Sequence, residues 1–154
     1  MPRLRSGGSK FIDVGGHKAV KGAYELENLG KSLEDYLETI LILQKKSGMV
    51  LSIDVAQYMG FSKPSVCHAV KLLREKGCLD MDKDGILHLT EYGRDIAENI
   101  YERHCFFTNH LTAMGVSAKQ AEQDACQIEH IISEESFQKL KETYGDGRSE
   151  ADGD

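Results

Sequence analysis

Residues 52–77 read SIDVAQYMGFSKPSVCHAVKLLREKG, and this stretch decides the fold. Ser52 precedes a short predicted helix, Ile53 to Met59, with Val55, Ala56 and Met59 facing inward. Gly60-Phe61 makes a tight turn. Ser62 can cap a second helix, because a serine oxygen at that position accepts a hydrogen bond from an otherwise unpaired backbone amide. Pro64 is tolerated in the first turn, where its missing N–H has no helical partner. Val66, Ala69, Val70 and Leu73 recur at helical spacing and form one buried face up to Lys76, and Gly77 stops the helix. Leu79–Asp82 and Ile86–Thr90 follow, separated by Lys83, Asp84 and Gly85. Asp-Gly between two short alternating runs signals a β-hairpin. Helix, turn, helix and hairpin together predict a winged helix-turn-helix.

The chemistry of that arrangement is groove recognition. The second helix lies in the major groove of DNA while the first crosses the backbone and props it there. The residues that would face base edges and phosphates are Lys63, Pro64, Ser65 and His68, with Lys71 one turn on. Lys83, at the tip of the hairpin, can reach a neighbouring phosphate. The competing reading is a module of the same shape that binds a partner other than DNA; the exposed basic positions and the wing favour DNA. Cys67 and His68 taken singly are weak indicators, since either can sit on the rim of the helix.

Working outward, Leu33, Leu37, Ile40, Leu41 and Leu43 mark the apolar stripe of a helix that Ser32 can cap and Gly48 ends after about Lys46. Glu34 and Asp35 suit its first turn. Downstream, Thr90 caps a long helical stretch through Met114, and Gly115 breaks it. Ser117 caps a helix to about Ile132, and Ser133 caps a last short one. The fold class is thus mainly α with a small β-hairpin wing. The expected organisation is a flexible basic arm at 1–30, a winged-helix segment at 31–90, a helical segment at 91–142 and an acidic disordered tail at 143–154. The arm carries six of the chain's fifteen glycines, and a structureless tail is its plainest reading. Contact with DNA phosphates through Lys10, Lys18 or Lys21 is the alternative.

Length and composition bound the function. The 154 residues fit one ordinary domain or two small ones, and 40% hydrophobic with 29% charged residues is a globular composition. The longest aliphatic run is Ile40–Leu43, too short to span a bilayer. Arg3 and Arg5 are followed by no apolar run, so no signal peptide is read and the cytoplasm is expected. Cysteines 67, 78, 105 and 126 show no Cys-x-x-Cys spacing, which argues against a zinc ribbon or thioredoxin motif. The net charge of -6 is unevenly spread. Residues 44–83 hold seven basic and four acidic side chains, whereas 91–141 hold nine acidic and five basic. A basic face can bind phosphate even on an acidic molecule.

A second constellation lies in Ala125-Cys-Gln-Ile-Glu-His130. Cys126, Glu129 and His130, at i, i+3 and i+4, share one helix face, and Glu122 lies one turn earlier. Thiolate, carboxylate and imidazole are Lewis bases once deprotonated. On spacing alone, a metal site and ordinary packing are about equally supported. Asp35 and Glu38 form another i, i+3 pair, read by itself as a solvated first turn. His104, in the long helical stretch after Thr90, reads by itself as a partly buried histidine, and Cys105 and His110 as ordinary packing residues. The competing class is a di-metal carboxylate enzyme of a helical fold. Its Glu-x-x-His motif does not occur in this chain, and neither does a nucleophile elbow, a phosphate loop or His-Glu-x-x-His.

The run Ser32-Leu-Glu-Asp-Tyr-Leu-Glu-Thr-Ile40, the winged helix after it and Cys126-Gln-Ile-Glu-His130, in that order, resemble the DtxR/MntR family of metal-dependent repressors. The resemblance covers residues 32 to about 141. It implies a winged-helix DNA-binding domain, a helical metal-binding and dimerisation domain, and divalent metal as corepressor at metal-uptake genes. It assigns ligand positions to Asp35, Glu38, His104, Cys126, Glu129 and His130. Asp35 and Glu38 match the manganese-type members, while Cys126 matches the iron-type, so the donor set is mixed. Mn2+ or Fe2+ is the expected cofactor, with Co2+, Ni2+ or Zn2+ possible in vitro. Thr108 and Glu122 stand where iron-type members place an ancillary glutamate and histidine. The SH3-like domain of larger members is not expected in a chain ending at 154. The expected assembly is a homodimer on an inverted-repeat operator, with metal shifting the relation between its domains; the alternative is a constitutive, metal-independent regulator.

Overall fold

The computed structural model describes residues 19–21, 24–26 and 29–145. Most of the expected arm, including Lys10 and Lys18, and the tail beyond Gly145 lie outside the described residues. Within the arm, β1 (Ala19–Lys21) and β2 (Tyr24–Leu26) pair antiparallel, Val20 opposite Glu25, where the sequence pattern predicts no strand. Leu29–Tyr101 form one compact unit; residues from Glu102 onward form a second, with which this hairpin groups.

The first unit begins with α1 (Lys31–Ser47). Its N-cap is Gly30 and not Ser32 as expected, and no side chain caps the helix there. Glu34 Oε2 reaches back and accepts from the Leu29 N–H at 3.1 Å, and Gly30 takes φ +93°, a value favouring glycine. α2 (Ser52–Met59) and α3 (Lys63–Glu75) follow. Asp54 accepts from the Leu51 N–H at 2.9 Å and Ser62 Oγ accepts from the Ser65 N–H at 3.3 Å, so each helix start is satisfied by a short polar side chain. β3 (Leu79–Met81) and β4 (Leu87–Leu89) form the wing, with Asp80 opposite His88. Asp82 Oδ1 closes its turn by accepting from the amides of Asp84 and Ile86, at 2.9 and 3.0 Å. The connector 48–51, silent in the sequence pattern, extends the sheet; Leu87 N–H donates to Val50 O at 2.8 Å.

Leu37, Ile40, Leu41, Val50, Val55, Val66, Leu73 and Leu87 fill the core of this unit. Each such side chain contributes about 1.5–3 kcal/mol on burial. The unit runs past Thr90 into α4 (Glu91–Ala113) because the first turns of that helix pack on the wing. Thr90 Oγ1 donates to Gly77 O at 2.7 Å and accepts from the Gly93 N–H at 3.0 Å. A Cβ on Gly93 would stand 1.9 Å from Cys78 O.

The second unit contains the rest of α4, α5 (Ala118–Ile131) and α6 (Glu134–Tyr144). Ser117 and Ser133 cap α5 and α6 as expected, accepting from Gln120 and Ser136. Buried Arg103 ties the α5–α6 corner to α4. Its guanidinium donates to Glu129 O at 3.3 Å, Ile132 O at 2.8 Å and Glu134 Oε1 at 2.7 Å, and lies over the Phe137 ring. Among the described residues no helix is long and apolar enough to cross a membrane.

Gly93→Ala is expected to destabilise the protein by about 1–3 kcal/mol or more, since the clash is with backbone and no rotamer relieves it. A lowered urea midpoint with unchanged slope checks this.

Candidate metal centre and nucleic-acid interface

On α5 the helical period puts Glu122, Cys126 and Glu129 on one face, and α4 presents His104 to it. His104 Nδ1 lies 2.8 Å from Glu129 Oε1 and 3.8 Å from Cys126 Sγ. Its other nitrogen, Nε2, lies 2.9 Å from Glu122 Oε2. One donor atom from each of His104, Cys126 and Glu129 falls within 4.8 Å of the others. Glu129 has 0% of its surface exposed. Its Oε2 lies 3.1 Å from His130 Nε2, close enough for an ion pair, yet has no partner in hydrogen-bond geometry.

Charge follows from these contacts. The hydrogen bonds to Cys126 and Glu129, helped by Glu122 and opposed by desolvation, push the His104 pKa up to about 12. For Glu129, burial pushes upward, but the contacts with His104 and His130 outweigh it and hold the carboxyl below its ordinary range. The protein alone therefore keeps an imidazolium against a buried carboxylate. The imidazolium's contribution to stability is complete below about pH 6.5 and fades only as pH climbs toward 12. The carboxylate's contribution is present above its ordinary value and is lost as pH falls through the depressed one.

A nitrogen, a sulfur and a carboxylate oxygen converging beside a buried oxygen without a hydrogen bond suit a divalent transition ion. Imidazole and thiolate take later first-row ions well, and carboxylate takes manganese and ferrous iron. The structure thus brings His104, Cys126 and Glu129 together, with His130 beside Glu129. Asp35 and Glu38 stand one turn apart on α1, in the first unit. Asp35 pairs with Lys31 at 2.7 Å, and Glu38 is buried. Glu122 was not among the predicted site residues. Its i−4 relation to Cys126 put it on the right face, but only the fold reveals that it meets His104. Cys105 and His110 take no part in the cluster; His110 packs on Phe106 with centroids 4.2 Å apart.

In the first unit, Lys63, Pro64, Ser65, His68 and Lys71 are all exposed on α3, as is Lys83 at the wing turn. Ser65 also serves the helix start, its Oγ 2.9 Å from Ser62 Oγ. Cys67 is exposed between them, while Val66, Ala69, Val70 and Leu73 hold the opposite face in the core. The exposed lysines along this helix and at the wing make a surface suited to phosphate.

A winged helix joined to a helical unit with metal-binding donors defines a class, and comparison with known proteins identifies the family. Residues 28–87 match the iron dependent repressor N-terminal DNA binding domain, and residues 90–154 match the iron dependent repressor metal binding and dimerisation domain. The transcriptional regulator MntR of Escherichia coli O6:H1 is 32% identical over 128 residues, 83% of this chain and 80% of that protein. The diphtheria toxin repressor of Corynebacterium glutamicum is 27% identical over 122 residues, 79% of this chain and 54% of that one. Among solved structures, the manganese regulator SloR superposes with a TM-score of 0.65 at 26% identity, covering 72% of this chain and 52% of that one. ScaR with bound Zn2+ gives 0.61 at 25%, covering 73% and 53%. The chain spans about half the length of these solved structures. It belongs to the DtxR/MntR family of metal-dependent transcriptional repressors.

Because a histidine ligates as neutral imidazole, a divalent ion taken up at His104 Nδ1 displaces a proton. Apparent affinity should rise at least tenfold per pH unit between about pH 6 and 8. Calorimetry in buffers of different ionisation enthalpy should show at least one proton released per ion, and one fewer in His104→Gln.

Proposed function

We propose that this chain is a cytoplasmic, metal-responsive repressor of manganese or iron uptake genes, and not an enzyme. The observation that carries the reading is the meeting of His104, Cys126 and Glu129 in a chain that also presents α3 and a wing. The bound ion supplies positive charge that neutralises the buried carboxylate and holds its donors in one arrangement. Glu129 and His130 offer donors from the end of α5, His104 from α4 and Cys126 from α5. Asp35 and Glu38 complete the set from α1, the helix that leads into the DNA-binding unit. Lys63, Pro64, Ser65, His68 and Lys71 read the major groove, and Lys83 holds a flanking phosphate. Two copies act together on an inverted repeat, since one recognition helix alone makes few base contacts.

Control of DNA binding is then a population shift. The ion favours DNA binding only to the extent that its donors hold it more tightly in the binding-competent arrangement. A coupling of about 1–3 kcal/mol, roughly 5–150-fold in affinity, is ordinary for such systems.

The test is a binding measurement on duplexes selected from random sequence, with Mn2+ or Fe2+ present and with chelator. At least fivefold tighter binding with metal is expected, with a palindromic consensus and two chains per duplex. Lys83→Ala should weaken binding to all sequences and flatten the salt dependence by about one phosphate contact. Equal affinity with metal and with chelator would favour a constitutive regulator.

A further inference from the structure

The second nitrogen of His104 has a role that the metal-ligand positions leave open. A histidine presents two chemically distinct nitrogens, and the bond made by one decides what the other can do. In this fold the two point in different directions. Nδ1 faces Glu129 Oε1 at 2.8 Å and Cys126 Sγ at 3.8 Å, while Nε2 faces Glu122 Oε2 at 2.9 Å. His104 is mostly enclosed, with 14% of its side chain exposed, whereas the Glu122 side chain is 62% exposed. The ring is thus held between a buried carboxylate and one at the surface.

We propose that Glu122 is the positioning residue of the metal centre, accepting the Nε2–H of His104 and so directing the Nδ1 lone pair at the ion shared with Cys126 and Glu129. This inference rests on the reading of His104, Cys126 and Glu129 as donors. The chemistry is that of a carboxylate–histidine–metal triad, in which the outer carboxylate fixes the ring's tautomer and orientation and strengthens it as a donor. Spacing supports the assignment. Glu122 precedes Cys126 by one turn, so the same face of α5 supplies the residue that orients the histidine and a residue that shares its ion. Ser117 caps this helix and Arg103 holds the backbone at its far end, so the spacing between these groups is built into α5. The alternative role for Glu122 is direct ligation, with His104 Nε2 as co-ligand of a separate ion. Two donors from the chain, one of them largely solvated, make a poor cage for that.

The experiment uses the full chain and three variants, Glu122→Ala, Glu122→Gln and Cys126→Ser, titrated with Co2+. The thiolate-to-cobalt charge-transfer band reports the donor set, and the number of ions bound is counted by elemental analysis. Wild type should show the band and Cys126→Ser should lose it, which verifies the donor reading separately. Outer carboxylates typically contribute 10–100-fold in metal affinity, and an exposed one belongs at the low end. Glu122→Ala should therefore keep the band and the ion count but weaken binding about tenfold. Glu122→Gln, whose amide oxygen still accepts from Nε2–H, should recover most of that loss. In the Zn2+-loaded protein, imidazole nitrogen NMR should show His104 protonated at Nε2 and ligated at Nδ1. Unchanged affinity in Glu122→Ala, or ligation through Nε2, would overturn the proposal. Loss of one ion per chain in Glu122→Ala would overturn it in favour of direct ligation. Absence of the band in wild type would instead overturn the donor reading itself.

Discussion

A carboxylate with no access to water governs the second unit. Glu129 is fully buried, and a buried charge is tolerated only when it is paired. His104 and His130 meet it from two sides. Arg103 does not pair with its carboxylate but holds its backbone carbonyl, and so fixes where on α5 the charge stands. Replacing this group by an apolar one of similar volume would remove a burial cost, so its presence points to a role beyond stability. Positive charge must come from somewhere to sit beside it. In the protein alone, the imidazolium of His104 provides it. A divalent ion can take over that role once the proton leaves, which makes metal uptake and proton release two sides of one exchange.

The DNA-binding unit obeys a different constraint. Its recognition helix must expose one face while the other is locked. Val66, Ala69, Val70 and Leu73 secure the locked face, and the wing is held by Asp82 and by the strand-like connector at 49–51. Gly93 lets the start of α4 lie directly on Cys78, so the helix that later carries His104 begins against the wing. α4 runs from Glu91 to Ala113.

Much of this was legible in the residues. Helix-turn-helix and hairpin could be read because their signals are local: a serine cap, a glycine turn, an apolar period and Asp-Gly. The start of α1 was misplaced because the helix is entered from Gly30 at a positive φ, with no side-chain cap, and not through Ser32. The bridge of residue 51 to the wing is a pairing across 35 positions and leaves no local mark. The grouping of Cys126, Glu129 and His130 on one face was legible from helical spacing. Selecting His104 over Cys105 and His110 depended on the family resemblance, because the meeting of α4 and α5 is a tertiary fact. Glu122 escaped for the same reason.

The proposed control of DNA binding requires that the ion sit on the sulfur of Cys126 together with the nitrogen of His104 and the carboxylate of Glu129. X-ray absorption at the metal edge of the Zn2+-loaded, DNA-bound protein tests this most directly. One sulfur neighbour at about 2.3 Å, with the remaining neighbours nitrogen or oxygen at about 2.0–2.2 Å, is the predicted shell. A shell of nitrogen and oxygen alone, unchanged in Cys126→Ser, would contradict the account.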